Sequence, residues 1–367
     1  MMIHIPDHIK VLKPYKSGNQ VGKQISREAF KKLVNLASNE NPLGASPKAM
    51  EAIRNSVEDI AVYPNPAATE LLEAIAKHFN KPPECIITGS GSDSIIADVF
   101  KAFTREGQEI VMADATFIGA YVNANKLNRV IVKVPLKEDY SYDLDAMRKA
   151  IGGSTRIIYL ANPNNPTGVM ITKDEFEKFM KEVPTDVLVV LDEAYYAYSG
   201  EYEDYPNGLE YEFSNLIVLR TMSKSYGLAG IRVGFAFGPK ELIDFMYRVK
   251  LPFEPNILAQ RAAVAALDDH VFIEETIETN TRNLSKLKKF FNKVGVKHTD
   301  GKANFLMIEL ENGDTANTFA AESLGEGFVV RPLGMFGLPN CIRINSGTDE
   351  QTDRAIKVFS KVLEKLK

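Results

Sequence analysis

Cysteine is scarce in this chain of 367 residues: only Cys85 and Cys341 occur. That excludes a disulfide scaffold and, with it, a cysteine-rich zinc site. The five histidines, His4, His8, His78, His270 and His298, are scattered without ligand spacing, so no metal site is expected. No apolar run reaches the ~18 residues that a membrane-spanning helix requires. Neither sign of charge dominates, since 44 Lys and Arg face 48 Asp and Glu for a net charge of −4. A nucleic-acid binder normally presents a basic face, so that class is disfavoured. The stretch from Met1 to Lys16 mixes charge with proline and has no apolar core of signal-peptide length. A cytoplasmic protein is therefore the expectation. Internal repeats and low-complexity segments are also missing.

What is present is an ordinary globular composition, 45% apolar and 25% charged. A disordered chain, a fibre and a coiled coil are excluded. At ~150 residues per domain the length points to one large unit and one smaller one. The middle of the chain alternates short β-branched runs with longer amphipathic stretches. The runs are Cys85–Thr88, Glu109–Met112, Val130–Val134, Arg156–Leu160, Val187–Leu191, Leu216–Arg220 and Val233–Phe237. Between them, Ile95, Val99, Ala102 and Phe103 share a helical face, as do Phe176, Phe179 and Met180. Strands alternating with helices predict an α/β fold whose mostly parallel, seven-stranded sheet is covered by helices.

The flanks read differently. Residues 1–50 carry Pro, Gly and Asn, with no clear periodic run before Pro47. Asn65-Pro66 opens a helix with Leu71, Leu72, Ile75, Ala76 and Phe79 on one face. A long helical stretch follows Pro252 and Pro255, and Leu284, Leu287 and Phe291 mark its apolar stripe. Short strands are expected at Phe305–Ile308, Phe328–Val330 and Cys341–Asn345, before a final helix with Ile356, Phe359, Val362, Leu363 and Leu366. The expected division is an amino-terminal arm and part of a small domain over 1–50, a large domain over 51–250, and a smaller α+β domain over 251–367.

Four motifs fall at predicted strand ends, where open α/β sheets bind ligands. After Leu216–Arg220 stands Ser223-Lys224-Ser225, with Arg232 eight residues on and glycines at 227, 230 and 234. A lone lysine in a turn is usually solvated. One set among hydroxyls, with an arginine nearby, suits Schiff-base chemistry beside a phosphate site. After Val187–Leu191 comes Asp192-Glu193-Ala194-Tyr195. Asp192 reads either as a helix cap or as the carboxylate that keeps a pyridinium protonated. After Arg156–Leu160 comes Asn162-Pro163-Asn164-Asn165-Pro166-Thr167-Gly168, a turn by composition and a ligand loop by position. Gly89-Ser90-Gly91-Ser92-Asp93 joins a strand to a helix start, where backbone N–H groups bind phosphate. It is no Walker loop, because no Gly-Lys-Ser/Thr follows.

Together with Asn39-Glu40-Asn41-Pro42-Leu43-Gly44, Tyr63-Pro64 and Gly337-Leu338-Pro339-Asn340-Cys341-Ile342-Arg343, these strings resemble the fold-type-I aminotransferases that use pyridoxal 5'-phosphate (PLP). Within that group they resemble the histidinol-phosphate aminotransferases. The strings occur in the family's order and span nearly the whole chain.

The resemblance implies roles. Lys224 joins the cofactor as a Schiff base, and Asp192 pairs with its ring nitrogen. Asn165 and Tyr195 bond its 3-hydroxyl oxygen, and Phe117 stacks on the ring. Gly91, Ser92, Asp93, Ser223 and Arg232 hold its phosphate. Tyr63 reaches that phosphate from the neighbouring subunit of a homodimer. Substrate contacts fall to Tyr15, Asn41, Arg331 and Arg343. Arginine's planar fork suits the carboxylate of glutamate and the phosphate of the other substrate alike.

Three places depart from the pattern. Phe117 stands where tyrosine is frequent, Lys16-Ser17-Gly18 replaces Pro-Gly, and Leu251-Pro252-Phe253-Glu254-Pro255-Asn256 replaces a tyrosine-bearing segment. Glu254 reads as a partner for an imidazolium or as a solvated surface acid. The implied reaction is amino transfer from L-histidinol phosphate to 2-oxoglutarate. The alternatives are a broad aromatic aminotransferase, a PLP decarboxylase of the threonine-phosphate type, and a phosphate or nucleotide binder without covalent chemistry.

Overall fold

The structure is a computed structural model that describes residues 3–12 and 33–366. Its centre is a seven-stranded sheet. Across the sheet the strands run Ile86–Gly89, Gly234–Phe237, Leu216–Thr221, Leu188–Asp192, Thr155–Ala161, Glu109–Ala113 and Val130–Val134. Gly234–Phe237 is antiparallel to both of its neighbours, and the other neighbouring pairs are parallel. The expected seven runs are the seven strands, each within a residue or so of its predicted ends.

The residues explain why this sheet is covered on both faces. Along Thr155–Ala161, Ile157 and Tyr159 enter one apolar cluster, while Ile158 and Leu160 enter another. Val190 joins the first cluster, and Val189 and Leu191 join the second. Successive strand side chains point to opposite faces, so a strand buried on both reads as an unbroken apolar run. Helix Ser92–Phe103 supplies Ile95, Ile96, Val99 and Phe100 to the first face. Helix Lys173–Glu182 closes the second with Phe176, Phe179 and Met180.

A four-stranded antiparallel sheet stands apart, in the order Arg331–Pro332, Cys341–Asn345, Phe305–Glu309, Lys297–His298. Helices His270–Val294, Gly313–Gly325 and Asp349–Lys365 pack on it through Leu284, Leu287, Phe291, Phe319, Phe359 and Val362. The segment before Pro47 is not merely irregular. Val34–Asn35 pairs in parallel with Phe328–Val329, and Val34 and Leu36 enter the same apolar cluster. Two residues are too few to show a period, so this strand is invisible without its partner.

The predicted strand Phe328–Val330 ends at Val329, and Arg331 begins the next sheet. The long helix after Pro255 is two helices, Ile257–Leu267 and His270–Val294. At the break, the carboxylate of Asp269 accepts the Ser46 hydroxyl at 2.6 Å and the Lys48 N–H at 3.3 Å. No helix among the described residues is long and apolar enough to cross a membrane.

Candidate active site

Six strands of the main sheet finish at one edge, and the antiparallel strand Gly234–Phe237 begins there. A cavity of about 330 Å³ opens at that edge. Its wall includes Ser92, Asp93, Phe117, Asn165, Asp192, Tyr195, Ser223, Lys224, Arg232, Arg331 and Arg343. Topology alone gathers most of these. Asp192 ends its own strand, and Lys224 and Asn165 lie just beyond the ends of theirs. Arg232 reaches the edge because its strand runs the other way.

One end of the cavity is built for a dianion. Helix Ser92–Phe103 starts at Gly91 without a side-chain cap, so its first-turn N–H groups are open to a ligand. The Arg232 guanidinium lies alongside, donating to Ser223 Oγ at 3.4 Å and to the Ala229 carbonyl at 3.1 Å. Thr221 donates its hydroxyl to Ser223 Oγ at 3.0 Å. Gly91 has φ +83°, and a Cβ there would run into the Arg232 guanidinium. Glycine is therefore required twice over, for the backbone angle and for the arginine's approach.

The middle of the cavity holds the titratable groups. Asp192 is buried, and its oxygens accept the Tyr159 hydroxyl at 2.5 Å and the Ala194 N–H at 3.1 Å. Burial pushes its carboxyl up to about 6 against those two donors and the Lys224 charge. Lys224 is brought down to about 8 by burial first and by the Arg343 charge second, with Arg232 adding to it. A fair fraction is thus a neutral amine near pH 8, as a nucleophile or base must be. Tyr195 Oη accepts amide N–H groups from Asn39 at 2.8 Å and from Asn165 at 3.3 Å. Its own proton is left to donate into the cavity. Burial holds that phenol up at about 12, so it stays protonated. Phe117, at the start of helix Ile118–Lys126, forms an apolar wall.

The other end carries a second pair of cations. Arg343 is 6% exposed, donating to Asn165 Oδ1 and, at 2.7 Å, to the Ala37 carbonyl. Arg331 sits directly opposite Arg343 on the neighbouring antiparallel strand. Like charges facing each other across a ladder are unfavourable. An anion between them removes the penalty, and both side chains line the cavity.

Not every expected site residue is here. Asn41 lies off the cavity wall: its amide donates to the Ser225 carbonyl at 2.9 Å and to Thr276 Oγ1 at 3.0 Å, and its oxygen accepts the Leu43 N–H at 3.0 Å. It pins the loop, while Asn39 in the same motif reaches Tyr195. Tyr63 is 78% exposed and stacked on Phe253 at 4.5 Å, away from the cavity. Glu254 is likewise off the wall; its carbonyl accepts Lys250 Nζ at 2.6 Å. Tyr15 and the Lys16-Ser17-Gly18 departure lie outside the described residues. Sequence reasoning missed Asn39, Glu40, Tyr159 and Thr221. Asn39 and Glu40 stood in a motif already singled out, and Thr221 stood beside another.

The donor set fits pyridoxal phosphate. The uncapped helix start and Arg232 suit its phosphate, Asp192 its ring nitrogen, Tyr195 and Asn165 its 3-oxygen, and Lys224 its aldehyde carbon.

Comparison with known proteins agrees with this geometry. The sequence pattern of the family described as aminotransferase class I and II matches residues 31–359. The chain is 40% identical over 356 residues to histidinol-phosphate aminotransferase 2 of Carboxydothermus hydrogenoformans, which covers 96% of this chain and 97% of that protein. It is 37% identical over 363 residues to histidinol-phosphate aminotransferase of Bacillus subtilis strain 168, covering 98% and 100%. Among solved structures, histidinol-phosphate aminotransferase of Sinorhizobium meliloti in complex with pyridoxal-5'-phosphate superposes with TM-score 0.92 at 24% identity, over 100% of this chain and 99% of that one. Aspartate aminotransferase of Thermus thermophilus with maleate superposes with TM-score 0.83 at 24% identity, over 98% and 100%. At such identities the structural likeness speaks for the fold alone.

Proposed function

Because the chain belongs to the class I and II aminotransferase family, we propose that it carries PLP at Lys224 and transfers the amino group of L-histidinol phosphate to 2-oxoglutarate. The products are imidazole acetol phosphate and L-glutamate, a step of histidine biosynthesis. The observation that carries the donor assignment is the second cationic subsite. Arg331 and Arg343 face each other across from the Arg232 end, so the cavity has room for one anion more than the cofactor's phosphate. Histidinol phosphate brings a phosphate to that subsite and glutamate brings a carboxylate. Two guanidinium groups can serve either by charge-assisted bonds.

When bound, PLP supplies an electron sink and an aldehyde carbon that carries nitrogen between the two substrates. The chain's residues do the rest. Arg232, Ser223 and the N–H groups of the helix start anchor the phosphate. Asp192 presents an anion to the ring nitrogen and keeps it protonated. Tyr195 donates to the 3-oxygen. Lys224 would take and hold the substrate's α-proton on Nζ, a task suited to an amine that burial brings down to about 8. Arg343 and Arg331 orient the substrate so that its α-hydrogen faces Nζ.

The test is a donor panel with 2-oxoglutarate: histidinol phosphate, phenylalanine, tyrosine and aspartate. Histidinol phosphate is expected to show the highest kcat/KM, at least about tenfold above phenylalanine, since one charged hydrogen bond is worth roughly 1.5–3 kcal/mol. An aromatic amino acid that matches it would make this a broad aromatic aminotransferase.

A homodimer with shared sites is part of the same reading. Support comes from exposed apolar side chains close in sequence to the stacked pair Tyr63–Phe253, namely Val57, Ile60, Val62 and Leu251. Exposed apolar patches on a globular protein mark contact surfaces. Mixing Tyr63→Phe with Lys224→Ala subunits tests the sharing. If Tyr63 serves the partner's phosphate, hybrid dimers keep one site free of both lesions. Activity per Lys224-bearing subunit should then rise above that of the Tyr63→Phe parent. No rise would mean that Tyr63 does not act across an interface.

A further inference from the structure

Asp192 is held from behind by a residue outside the cavity wall. Tyr159 lies on the neighbouring strand, opposite Val190 in the parallel register, and Ala161 lies opposite Asp192. Its ring is completely buried in the cluster with Ile157, Val190 and Leu219. Its hydroxyl donates to Asp192 Oδ2 at 2.5 Å while the Ala194 N–H donates to Oδ1 at 3.1 Å. Each carboxylate oxygen thus has one donor on the protein side, and their remaining lone pairs are left for the cavity. Among the described residues, Tyr159 is the only side chain hydrogen-bonded to Asp192.

We propose that Tyr159 is a positioning residue for Asp192: its hydroxyl fixes the rotation of the carboxylate and keeps it ionised at neutral pH, so that the cofactor's ring nitrogen meets an anion. The inference rests on the assignment of PLP to this cavity.

The charges around Asp192 leave this task to Tyr159. Glu193, next in the chain, pushes the Asp192 carboxyl up. Its own charge is matched by Arg220 at 2.8 Å. Tyr142 and Tyr195 face Asp192 as neutral phenols, both held above the ordinary tyrosine range by burial. Lys224, from the loop after Leu216–Thr221, favours the anion. Burial is the force on the other side, and of the groups opposing it the Tyr159 hydrogen bond is foremost. Tyr159 itself is driven well above the tyrosine range, by burial first and by the Asp192 charge second, so it remains a donor at any working pH. Removing a donor to a buried carboxylate raises the carboxylate's pKa.

Tyr159→Phe removes the hydroxyl and keeps the ring. PLP affinity, read by absorbance after equilibrium dialysis from pH 5 to pH 9, gives the direct measurement, with kcat and KM taken beside it. The acid limb of affinity, set by Asp192, should move up by about one pH unit. The affinity should fall about fivefold at pH 6 and approach tenfold near pH 5, kcat should fall with it, and the KM of the amino donor should hardly change. Above pH 8 the loss should shrink to the smaller part owed to the carboxylate's rotation, because the carboxylate is then ionised in both. A loss that is the same at every pH would assign Tyr159 to packing alone and overturn the proposal. A second readout adds Tyr159→Phe to Asp192→Asn, where no carboxylate remains to be held ionised. Its effect should there be several-fold smaller, and an equal effect in both backgrounds would also overturn the proposal. A parent protein that binds no PLP would overturn the cofactor assignment first, and this inference with it.

Discussion

Lys224→Ala is expected to lower amino transfer by at least about ten-thousand-fold. Two functions disappear with one nitrogen. On the proposed reading the amine is both the covalent attachment point of the cofactor and the base that moves the proton. Positioned general bases alone contribute roughly 10²–10⁴-fold. No other amine on the wall can take over both tasks, since the remaining cations, Arg232, Arg331 and Arg343, are guanidinium groups that do not deprotonate. The fold should survive. The Lys224 amine is buried in the cavity wall, yet among the described residues it makes no hydrogen bond that ties two elements together. PLP should still bind through Arg232, Ser223 and the helix start, but borohydride should no longer fix it to the chain. A small primary amine supplied in solution should restore part of the rate, because the cavity left by the side chain needs only a proton acceptor. An alanine variant with parental turnover and a borohydride-reducible link to the chain would remove Lys224 from the mechanism.

Why Lys224 and Asp192 were readable in advance is a matter of strand physics. A parallel strand covered on both faces must be apolar from end to end, as Leu188-Val189-Val190-Leu191 is. The first charged side chain after such a run stands at the sheet's edge, and in an α/β sheet that edge is the ligand side. Asp192 follows that rule, while Lys224 and Asn165 stand in the loops just past the ends of their strands. Tyr159 escapes it, because a tyrosine between Ile158 and Leu160 looks like one more core ring. Only the register with Leu188–Asp192 brings its hydroxyl to the carboxylate.

Asn39 and Asn41 show a different limit. They share a residue type and a motif and differ in which one enters the site. Asn39 takes a left-handed backbone, φ 55°, and its side chain reaches Tyr195. Asn41 turns to Ser225 and Thr276, residues far away in the chain. Likewise, the facing of Arg331 and Arg343 depends on antiparallel pairing across the Leu333–Asn340 connection, and Val34–Asn35 depends on Phe328–Val329. Periodicity reports which side of an element is buried, but not which distant element lies against it.

Asp192→Asn should leave PLP bound and lower kcat by roughly 10²–10³-fold, the usual result of removing one preorganised electrostatic partner of a developing charge. The substitution conserves shape. The amide oxygen can still accept from Tyr159 or from the Ala194 N–H, so the strand end and its neighbours have no reason to move. What changes is the sign of the contact at the ring nitrogen. A carboxylate accepts a proton-bearing nitrogen and favours its charged form. An amide has no charge to offer, and its NH₂ donates to the nitrogen that lacks a proton. A neutral ring withdraws electrons poorly, so loss of the substrate's α-proton slows, while donor binding, which the proposed function gives to Arg331 and Arg343, is untouched. The prediction is thus a fall in kcat with the KM of the amino donor near its parental value, and a larger solvent-insensitive isotope effect from an α-deuterated donor as proton removal becomes the slow step. The acid limb of PLP affinity, which this carboxyl sets near 6 in the free parent chain, should be absent from the variant. Parental kcat in the asparagine variant would show that the ring's proton does not depend on Asp192. A rise in KM without a fall in kcat would place the residue in substrate binding instead.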